Sequence, residues 1–184
     1  MKKYYFFLLT VTVVTLFGCS GISVATDSDP TANFSQYKTF GYYKIEASGD
    51  TISQGFAKRV GYLKDAITGE MTKRGYTFQE NKPDLTINIG LIAENKVQTR
   101  ETNWRTDGRY TYMGQRNYGW SAGEVEVGRY REGTVTLHVV DAANNKMIWT
   151  GTANGVLPEK EKNLPDMAVT SMTELFKKFP VPAK

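Results

Sequence analysis

Residues of the types that carry out catalysis or hold transition metals are scarce in this sequence. It contains one cysteine, Cys19, and one histidine, His138. A structural zinc site takes four cysteine, histidine or carboxylate ligands, and a histidine that acts as a general base needs an orienting partner and a substrate group within reach. Because nitrogen and sulfur ligands are almost absent and His138 has no identifiable partner in the sequence, we predict no catalytic residue, no metal site and no cofactor, and we expect that the protein is not an enzyme.

Two further patterns are typical of ligand sites but fit simpler roles. Asp27 and Asp29 resemble part of a calcium site, which needs six or more oxygen ligands. The Pro30 that follows makes a turn the preferred interpretation. The glycine cluster 114–123 lacks the lysine and the strand-to-helix context of a phosphate-binding loop. We therefore expect neither pattern to bind a ligand.

The N-terminal residues predict an export signal that ends at the cysteine. Two lysines precede an uncharged, largely apolar run, 4–17, which is shorter than the about 20 residues of a membrane-crossing helix. The run ends in Leu16-Phe17-Gly18-Cys19, which resembles the lipobox of bacterial lipoproteins. That resemblance implies removal of residues 1–18 as a signal peptide. It also implies attachment of a diacylglycerol and an N-acyl chain, with fatty acids such as palmitate, to Cys19.

A lipid on Cys19 predicts where the protein works. Several acyl chains make detachment from a membrane rare, and residues 19–21 form a tether too short to hold the domain away from the membrane. By resemblance to proteobacterial sorting, Ser20 in place of an aspartate favours the outer membrane. The sequence leaves open whether the domain faces the periplasm or the medium.

Charge argues against a nucleic-acid partner. Without residues 1–18 the chain has 21 basic and 19 acidic residues, a net charge of +2. This excess provides little attraction for a polyanion. With its thiol bound to lipid, Cys19 is also not available for a disulfide, so the domain must be stabilised by packing.

The segment 96–131 has the most distinctive surface composition. It contains seven basic and four acidic residues, five glycines and several aromatic residues. Arginine and aromatic side chains are enriched where proteins bind partners. The candidate partner-binding residues are Trp104, Arg105, Arg109, Tyr110, Tyr112, Arg116, Tyr118 and Trp120.

Three interpretations of this segment remain open. In the first, it binds another protein of the cell envelope. In the second, Trp104, Trp120 and nearby tyrosines are stacking platforms for a glycan such as peptidoglycan. In the third, the segment is a long twisted hairpin or loop whose aromatic residues pack on its own sheet and bind nothing.

Alternating apolar residues predict five strands. The clearest is 85–91, in which leucine and isoleucine alternate with smaller or polar residues. In 133–141, His138 shares a face with threonines and is expected on the wetter side of a sheet. Asn144-Asn145 predicts a hairpin turn into the next strand. The predicted strands are 22–26, 38–43, 85–91, 133–141 and 147–153.

Two segments have apolar residues at helical spacing. The first contains six such residues from Ile52 to Met71, at spacings of 4, 4, 3, 4 and 4, and Gly75 is expected to end it. The second is predicted from Leu164 to Phe179. Strands, helix, strands and helix in this order predict an α+β fold in two layers, with a mixed or antiparallel sheet packed by two helices. We expect one such domain over residues 22–184.

Short motifs spread along the chain resemble the domain of unknown function 4136 family of bacterial lipoproteins. They lie at residues 27–30, 33–40, 75–76, 83–85, 133–142, 148–151 and 179–180. At His138 many members have an acidic residue. The resemblance implies an α+β lipoprotein of the bacterial envelope and carries no known activity.

Overall fold

The computed structural model describes residues 21–49, 55–103 and 123–184. Within these ranges the chain forms six strands and two α-helices. The elements are β1 (Ser23–Ser28), β2 (Thr39–Gly49), α1 (Phe56–Lys73), β3 (Thr77–Phe78), β4 (Leu85–Glu101), β5 (Glu124–Asp141), β6 (Lys146–Val156) and α2 (Leu164–Phe176).

The strands form one mixed sheet in the order β1-β6-β5-β4-β2-β3. β4, β5, β6 and β1 are antiparallel neighbours, whereas β2 runs parallel to β3 and β4. Parallel neighbours need a crossover connection, and α1 supplies it between β2 and β3. The predicted α+β fold is confirmed, and its sheet is mixed.

Both helices contribute to a core on one face of the sheet. Along β4, Leu85, Ile87 and Ile89 are buried, while the residues between them are only partly covered. The buried apolar helix residues are Val60, Ala66, Ile67 and Met71 from α1 and Ala168, Met172, Leu175 and Phe176 from α2. The alternation therefore reflects a sheet with one packed face and one wetter face, as predicted.

All five predicted strands are present, and each is longer than its apolar pattern indicates. β4 continues ten residues past the predicted end at Leu91, and β5 begins nine residues before the predicted start at Gly133. Ala93 is still buried, but beyond it in β4 and before Glu132 in β5 every residue is at least partly exposed, so no alternation of apolar residues is required. β3 was not predicted, because two residues are too few to show a period.

α1 confirms the first helical pattern and its end. Gly75 has a φ of 90°, which favours glycine. The backbone N–H groups of Gly75 and Tyr76 donate to the carbonyls of Thr72 and Met71 at 2.9 and 3.1 Å. These bonds close the helix in a Schellman motif. Ile52, the first residue of the predicted pattern, lies outside the described residues.

The second helix ends earlier than predicted. α2 stops at Phe176, not at Phe179, because the N–H groups of Lys178 and Phe179 donate to carbonyls three residues back, at 3.2 and 3.1 Å. This tighter turn ends the α-helix. Phe179 is still buried, and its ring centroid lies 5.0 Å from that of Trp149. The apolar periodicity therefore includes a residue that packs from outside the helix.

A buried ion pair joins the ends of the two helices. Arg74 follows the last residue of α1, and its Nη1 donates to Glu70 Oε2 at 2.6 Å. Its Nη2 donates at 2.7 Å to the carbonyl of Phe176, the last residue of α2. The guanidinium also lies 5.2 Å from the centroid of the Phe176 ring. One side chain thus satisfies a carbonyl at the end of α2 while it pairs with a carboxylate in α1.

Glu70 is charged in this arrangement. Burial alone would raise the pKa of its carboxyl group, but hydrogen bonds from Lys73 and Arg74 outweigh that effect and lower the pKa below its usual value. Lys73 Nζ donates to Oε1 at 2.6 Å, and the hydroxyl of Thr173 in α2 donates to the same oxygen at 3.2 Å. The carboxylate therefore holds partners on both helices.

Gly69 and Gly151 are expected to respond oppositely to alanine. Nothing lies within 4 Å of a Cβ built at Gly69 in α1, and alanine is favoured over glycine in a helix by about 1 kcal/mol. A Cβ at Gly151 in β6 would overlap the ring of Trp149 and lie 2.9 Å from Leu175 Cδ1. In urea-induced unfolding, Gly69→Ala should raise the free energy of unfolding by about 0.5–1 kcal/mol. Gly151→Ala should lower it by about 1–3 kcal/mol, because the packed ring has to move.

Shifts of the same sign in both variants would contradict this assignment of one glycine to an open helix face and the other to the packed core.

Candidate functional site

The ends of the segment 96–131 are paired strands. β4 and β5 pair along their whole length. Among the residues that the structure describes, β2 pairs with β4 as far as Ala93 and β6 pairs with β5 as far as Glu132. Beyond these points the two strands continue as a two-stranded ribbon, residues 94–101 and 124–131, which we call the ribbon. The described part of the segment is therefore a hairpin-like extension of the sheet.

The ribbon is long and twisted. Eight residues per strand at a rise of ~3.3 Å extend it by roughly 26 Å beyond the body of the sheet. Gln98 pairs with Gly128 and Thr99 with Glu126, so Val127 is an extra residue on β5. Such a bulge bends the strand and increases its local twist.

The ribbon presents exposed apolar side chains, as do other parts of the described surface such as Tyr43 and Val156. Val97, Val127 and Tyr130 are 52%, 49% and 37% exposed. Two of the neighbouring basic residues have acidic partners: Lys96 Nζ lies 2.6 Å from Glu94 Oε2, and Arg129 Nε lies 2.6 Å from Glu126 Oε1. These hydrogen bonds raise the pKa of Lys96 and of Arg129. The described ribbon thus presents apolar groups among matched charges.

The aromatic and arginine residues singled out from the sequence lie beyond the ribbon. Trp104, Arg105, Arg109, Tyr110, Tyr112, Arg116, Tyr118 and Trp120 all lie outside the described residues, as does Cys19. Their role in binding stays a prediction. The last described backbone contact before them is from Thr102 N to the carbonyl of Gly123, at 2.7 Å.

A cleft lies between the first halves of both helices and the sheet. Its volume is ≈180 Å³. Its apolar walls include Phe56, Leu63, Val135, Ala153, Met167 and Ala168. Residues from three strands and two helices meet here, and the first halves of α1 and α2 do not close over the sheet between them.

The rim of the cleft is polar and its charges are balanced. Arg59 Nε lies 3.6 Å from Glu161 Oε1, and Arg131 and Glu159 also border the opening. Two arginines and two glutamates therefore surround an apolar interior. A neutral, apolar ligand suits such a cleft better than an ion.

Sequence reasoning missed this cleft. Its lining comes from strands and helices far apart in the chain, which no local pattern brings together. One signal was available, because β6 places only small residues, Gly151, Ala153 and Gly155, after Trp149 on its packed face. Small residues at successive inward positions leave space between a sheet and the helix above it.

The acidic residues within the motifs hold the fold together. Asp84 Oδ2 accepts hydrogen bonds from the backbone N–H groups of Lys38 and Thr39 at 2.8 and 2.9 Å, and Asp84 N donates to Thr39 Oγ1 at 2.9 Å. The two backbone bonds lower the pKa of Asp84. This reciprocal clamp ties the start of β2 to the start of β4.

Asp141 fastens the turn between β5 and β6. Its Oδ2 accepts from Asn144 Nδ2 at 2.8 Å and from the hydroxyl of Tyr37 at 2.9 Å, while Oδ1 accepts from the backbone of Ala143 at 2.9 Å. The bond from Asn144 is the main cause that lowers the pKa of Asp141. Asn145, with a φ of 50°, completes the predicted hairpin turn. Asp141 is thus engaged by several donors, as a structural residue would be.

The remaining polar candidates lie apart from one another. His138 is exposed on the wetter face, as predicted, and pairs in register with Asn88 and Thr150. Asp29 accepts hydrogen bonds from the backbone and hydroxyl of Thr31 at 2.8 and 2.6 Å, consistent with the turn interpretation. A hydrogen bond from Lys146 is the main cause that lowers the pKa of Asp29 to about 2.

Two general observations apply to the described part of the chain. It contains no group of three or more histidine, cysteine, aspartate or glutamate side chains arranged to hold a metal ion. Neither of its helices has the length and the apolar character needed to cross a membrane.

Comparisons with known proteins agree with this fold. A family model described as Domain of unknown function (DUF4136) matches residues 24–181. A DUF4136 family protein from Bacteroides thetaiotaomicron VPI-5482 is similar in structure, with a TM-score of 0.54 and 17% identity over 88% of this chain and 97% of that one. No curated protein matches the chain.

A PDZ domain protein from Parabacteroides distasonis ATCC 8503 is also similar, with a TM-score of 0.54 and 16% identity. The match covers 96% of this chain but only 40% of that protein. At these identities both likenesses show a shared fold.

The two clamping carboxylates predict a loss of stability in acid. Hydrogen bonds hold the pKa of Asp84 and of Asp141 below the usual value in the folded protein. Their stabilisation is therefore complete above the unfolded pKa of about 3.9 and is lost as the pH falls through the lower folded values. Unfolding by urea at a series of pH values between about 5 and 2 should show this decline. In Asp84→Asn the decline should be shallower, because one titrating group is gone.

An equally steep decline in Asp84→Asn would contradict the role of this carboxylate.

Proposed function

The chain belongs to the DUF4136 family, and from the geometry of the ribbon we propose that it is a non-enzymatic binding domain anchored to a membrane of the bacterial envelope. In this proposal the ribbon and the residues beyond it bind another envelope protein, and a lipid on Cys19 keeps the domain at the membrane. The observation that carries the proposal is the departure of the ribbon from the sheet beyond Ala93 and Glu132.

The ribbon has the features of a surface that a partner covers. A two-stranded ribbon alone is marginally stable in water, and further strands or a packed face are needed to stabilise it. Over residues 94–101 and 124–131 the two ribbon strands pair with each other and with no other described strand. A partner that packs on the ribbon would supply the missing apolar contacts.

The chemistry of the ribbon favours a protein as the partner. Val97, Val127 and Tyr130 offer apolar contact area, and a tyrosine suits an interface because its ring buries while its hydroxyl stays hydrogen-bonded. The ion pairs Lys96–Glu94 and Arg129–Glu126 match basic with acidic groups, so the described ribbon offers little excess charge to a polyanion. Mixed apolar and charged groups are typical of protein–protein interfaces.

The structural roles of the acidic residues support a function without catalysis. Asp84 and Asp141 lie in the motifs of the chain, and each accepts several short hydrogen bonds from neighbouring groups of the fold. Neither borders the cleft. The two carboxylates that most resemble catalytic groups therefore have a structural role at one end of the sheet.

Site-specific photo-crosslinking tests the ribbon as the binding surface. Val127 in the ribbon and Val169 in α2 are both valines with about half of the side chain exposed, 49% and 54%. A photoreactive phenylalanine derivative is placed at either position, and the protein is irradiated in intact cells. We expect a discrete covalent complex from position 127, detected as a shifted band and identified by mass spectrometry, and none from position 169.

Val169 serves as the matched control because it is equally exposed but far from the ribbon in sequence. The proposal fails if both positions yield the same complex or if position 127 yields none.

A glycan is the second candidate partner. It is favoured by the tryptophans Trp104 and Trp120, since indole rings stack on the apolar faces of sugars. Sedimentation with purified peptidoglycan separates the two candidates. Retention that is lost in Trp104→Ala/Trp120→Ala would favour the glycan, whereas a crosslinked protein at position 127 with no retention on peptidoglycan would favour the protein partner.

Metabolic labelling tests the anchor. Cells that produce the full chain are fed a fatty acid with a terminal alkyne, which is later coupled to a fluorophore. The parent protein is expected to carry label and to sediment with the outer membrane, while Cys19→Ala should lose at least nine-tenths of the label, because Cys19 is the only cysteine. Label that persists in Cys19→Ala would show another attachment point and contradict the anchor.

A further inference from the structure

We propose that the cleft between the helices and the sheet binds one of the acyl chains that Cys19 carries. This inference rests on the proposed lipid at Cys19, and it assigns that lipid a site on the domain itself. The cleft would shelter a stretch of hydrocarbon whenever the lipid is not inserted in a bilayer, for example while the protein crosses an aqueous compartment.

The described chain begins beside the cleft, two residues after Cys19. Gly155 in β6 borders the cleft, and the start of the described chain packs against it. A Cβ built at Gly155 would lie 3.4 Å from Ile22 Cγ1 and 3.9 Å from the carbonyl oxygen of Gly21. Only Ser20 separates Gly21 from Cys19. Two residues span at most ~7 Å, so an acyl chain on Cys19 is long enough to reach the opening.

The interior of the cleft has the right polarity for hydrocarbon. Phe56, Leu63, Val135 and Met167 supply apolar walls, and its volume is ≈180 Å³. An apolar cavity of about 150 Å³ stays free of water and takes up a small hydrocarbon such as benzene. The cleft is therefore large enough for a stretch of one acyl chain and too small for all the chains of a lipoprotein lipid.

The balanced charges of the rim suit a neutral lipid better than a charged one. Arg59 pairs with Glu161 at 3.6 Å, and Arg131 and Glu159 border the same opening. Because the two basic residues are matched by two acidic ones, the opening does not select for the carboxylate of a free fatty acid. The acyl chains on Cys19 are joined through esters and an amide and bear no charge, which fits this rim.

Tethering favours the chain's own lipid over a lipid from elsewhere. A ligand joined by a short linker acts at an effective concentration in the millimolar range when the linker spans the distance. A free lipid would have to reach the same concentration in water, which its insolubility prevents. The acyl chain on Cys19 is therefore the occupant that the geometry points to.

The experiment uses Cys19 as the only thiol of the chain. A protein of residues 19–184, which includes every described residue, is alkylated at Cys19 with N-dodecylmaleimide or, as the matched control, with N-ethylmaleimide. The dodecyl adduct is expected to melt several degrees higher than the ethyl adduct, because a ligand that binds only the folded state stabilises it. It is also expected to elute as a monomer, since its hydrocarbon is covered.

Two variants locate the effect. Ala168→Leu places a larger side chain into the cleft and should abolish the difference in melting temperature between the dodecyl and ethyl adducts. Val169→Leu, one residue further along α2 and 54% exposed, should retain the full difference. The comparison of the two adducts in the parent needs no substitution, so it remains decisive even if Ala168→Leu folds poorly.

The proposal is overturned if both adducts of the parent melt at the same temperature, or if the dodecyl adduct assembles into dimers or larger species that bury the chain between copies. An increase that persists unchanged in a well-folded Ala168→Leu would place the chain elsewhere and equally overturn it. These outcomes are independent of whether cells attach lipid to Cys19, which the labelling of Cys19→Ala decides separately.

Discussion

The guanidinium of Arg74 joins the two helices, and the position of the cleft between them depends on that contact. It binds Glu70 in α1 and the last carbonyl of α2, so the C-terminal ends of both helices are held together over the sheet. A buried arginine needs an opposite charge, and Glu70 supplies it. Because the helices are joined at these ends, the space that remains between them lies at their first halves, where the cleft is found.

The tightest packing lies away from the ribbon, the surface proposed to bind a partner. The motif carboxylates Asp84 and Asp141 fasten β2, β4 and the turn after β5, and Trp149 packs with Phe176 and Phe179 beneath the helices. These contacts give the motif residues a structural role in the scaffold. The ribbon lies outside these contacts, whereas the cleft shares Val135 and Ala168 with the scaffold, so the ribbon is the part that can change with least effect on the fold.

The sequence predicted those elements whose residues have one packed and one wetter face. The sequence pattern predicted α1, the strand that begins at Leu85 and the exposure of His138, because burial on one side of an element imposes a period on its apolar residues. The ribbon shows no such period, because residues such as Asn95 and Gln98 are exposed and nothing selects for alternation; a long twisted hairpin was one of the interpretations that the composition of 96–131 left open. The parallel pairing of β2 with β4 and the cleft depend on contacts between distant segments, which no local pattern records. Phe179 is the opposite case. It fits the apolar period of α2 and is buried, but it lies after the end of the helix.

The bulge at Val127 has a consequence for how the ribbon can change during evolution. Side chains of a strand alternate between its faces, and the extra residue shifts that alternation in β5 by one position. Before the bulge, even-numbered residues of β5 share the side of the sheet on which the helices lie, and after it the odd-numbered ones do. Insertion or deletion of one residue at this point would exchange the two faces of the distal strand without altering any side chain. A lineage could thus acquire a new outward surface through a single codon, while the scaffold below Ala93 stays intact.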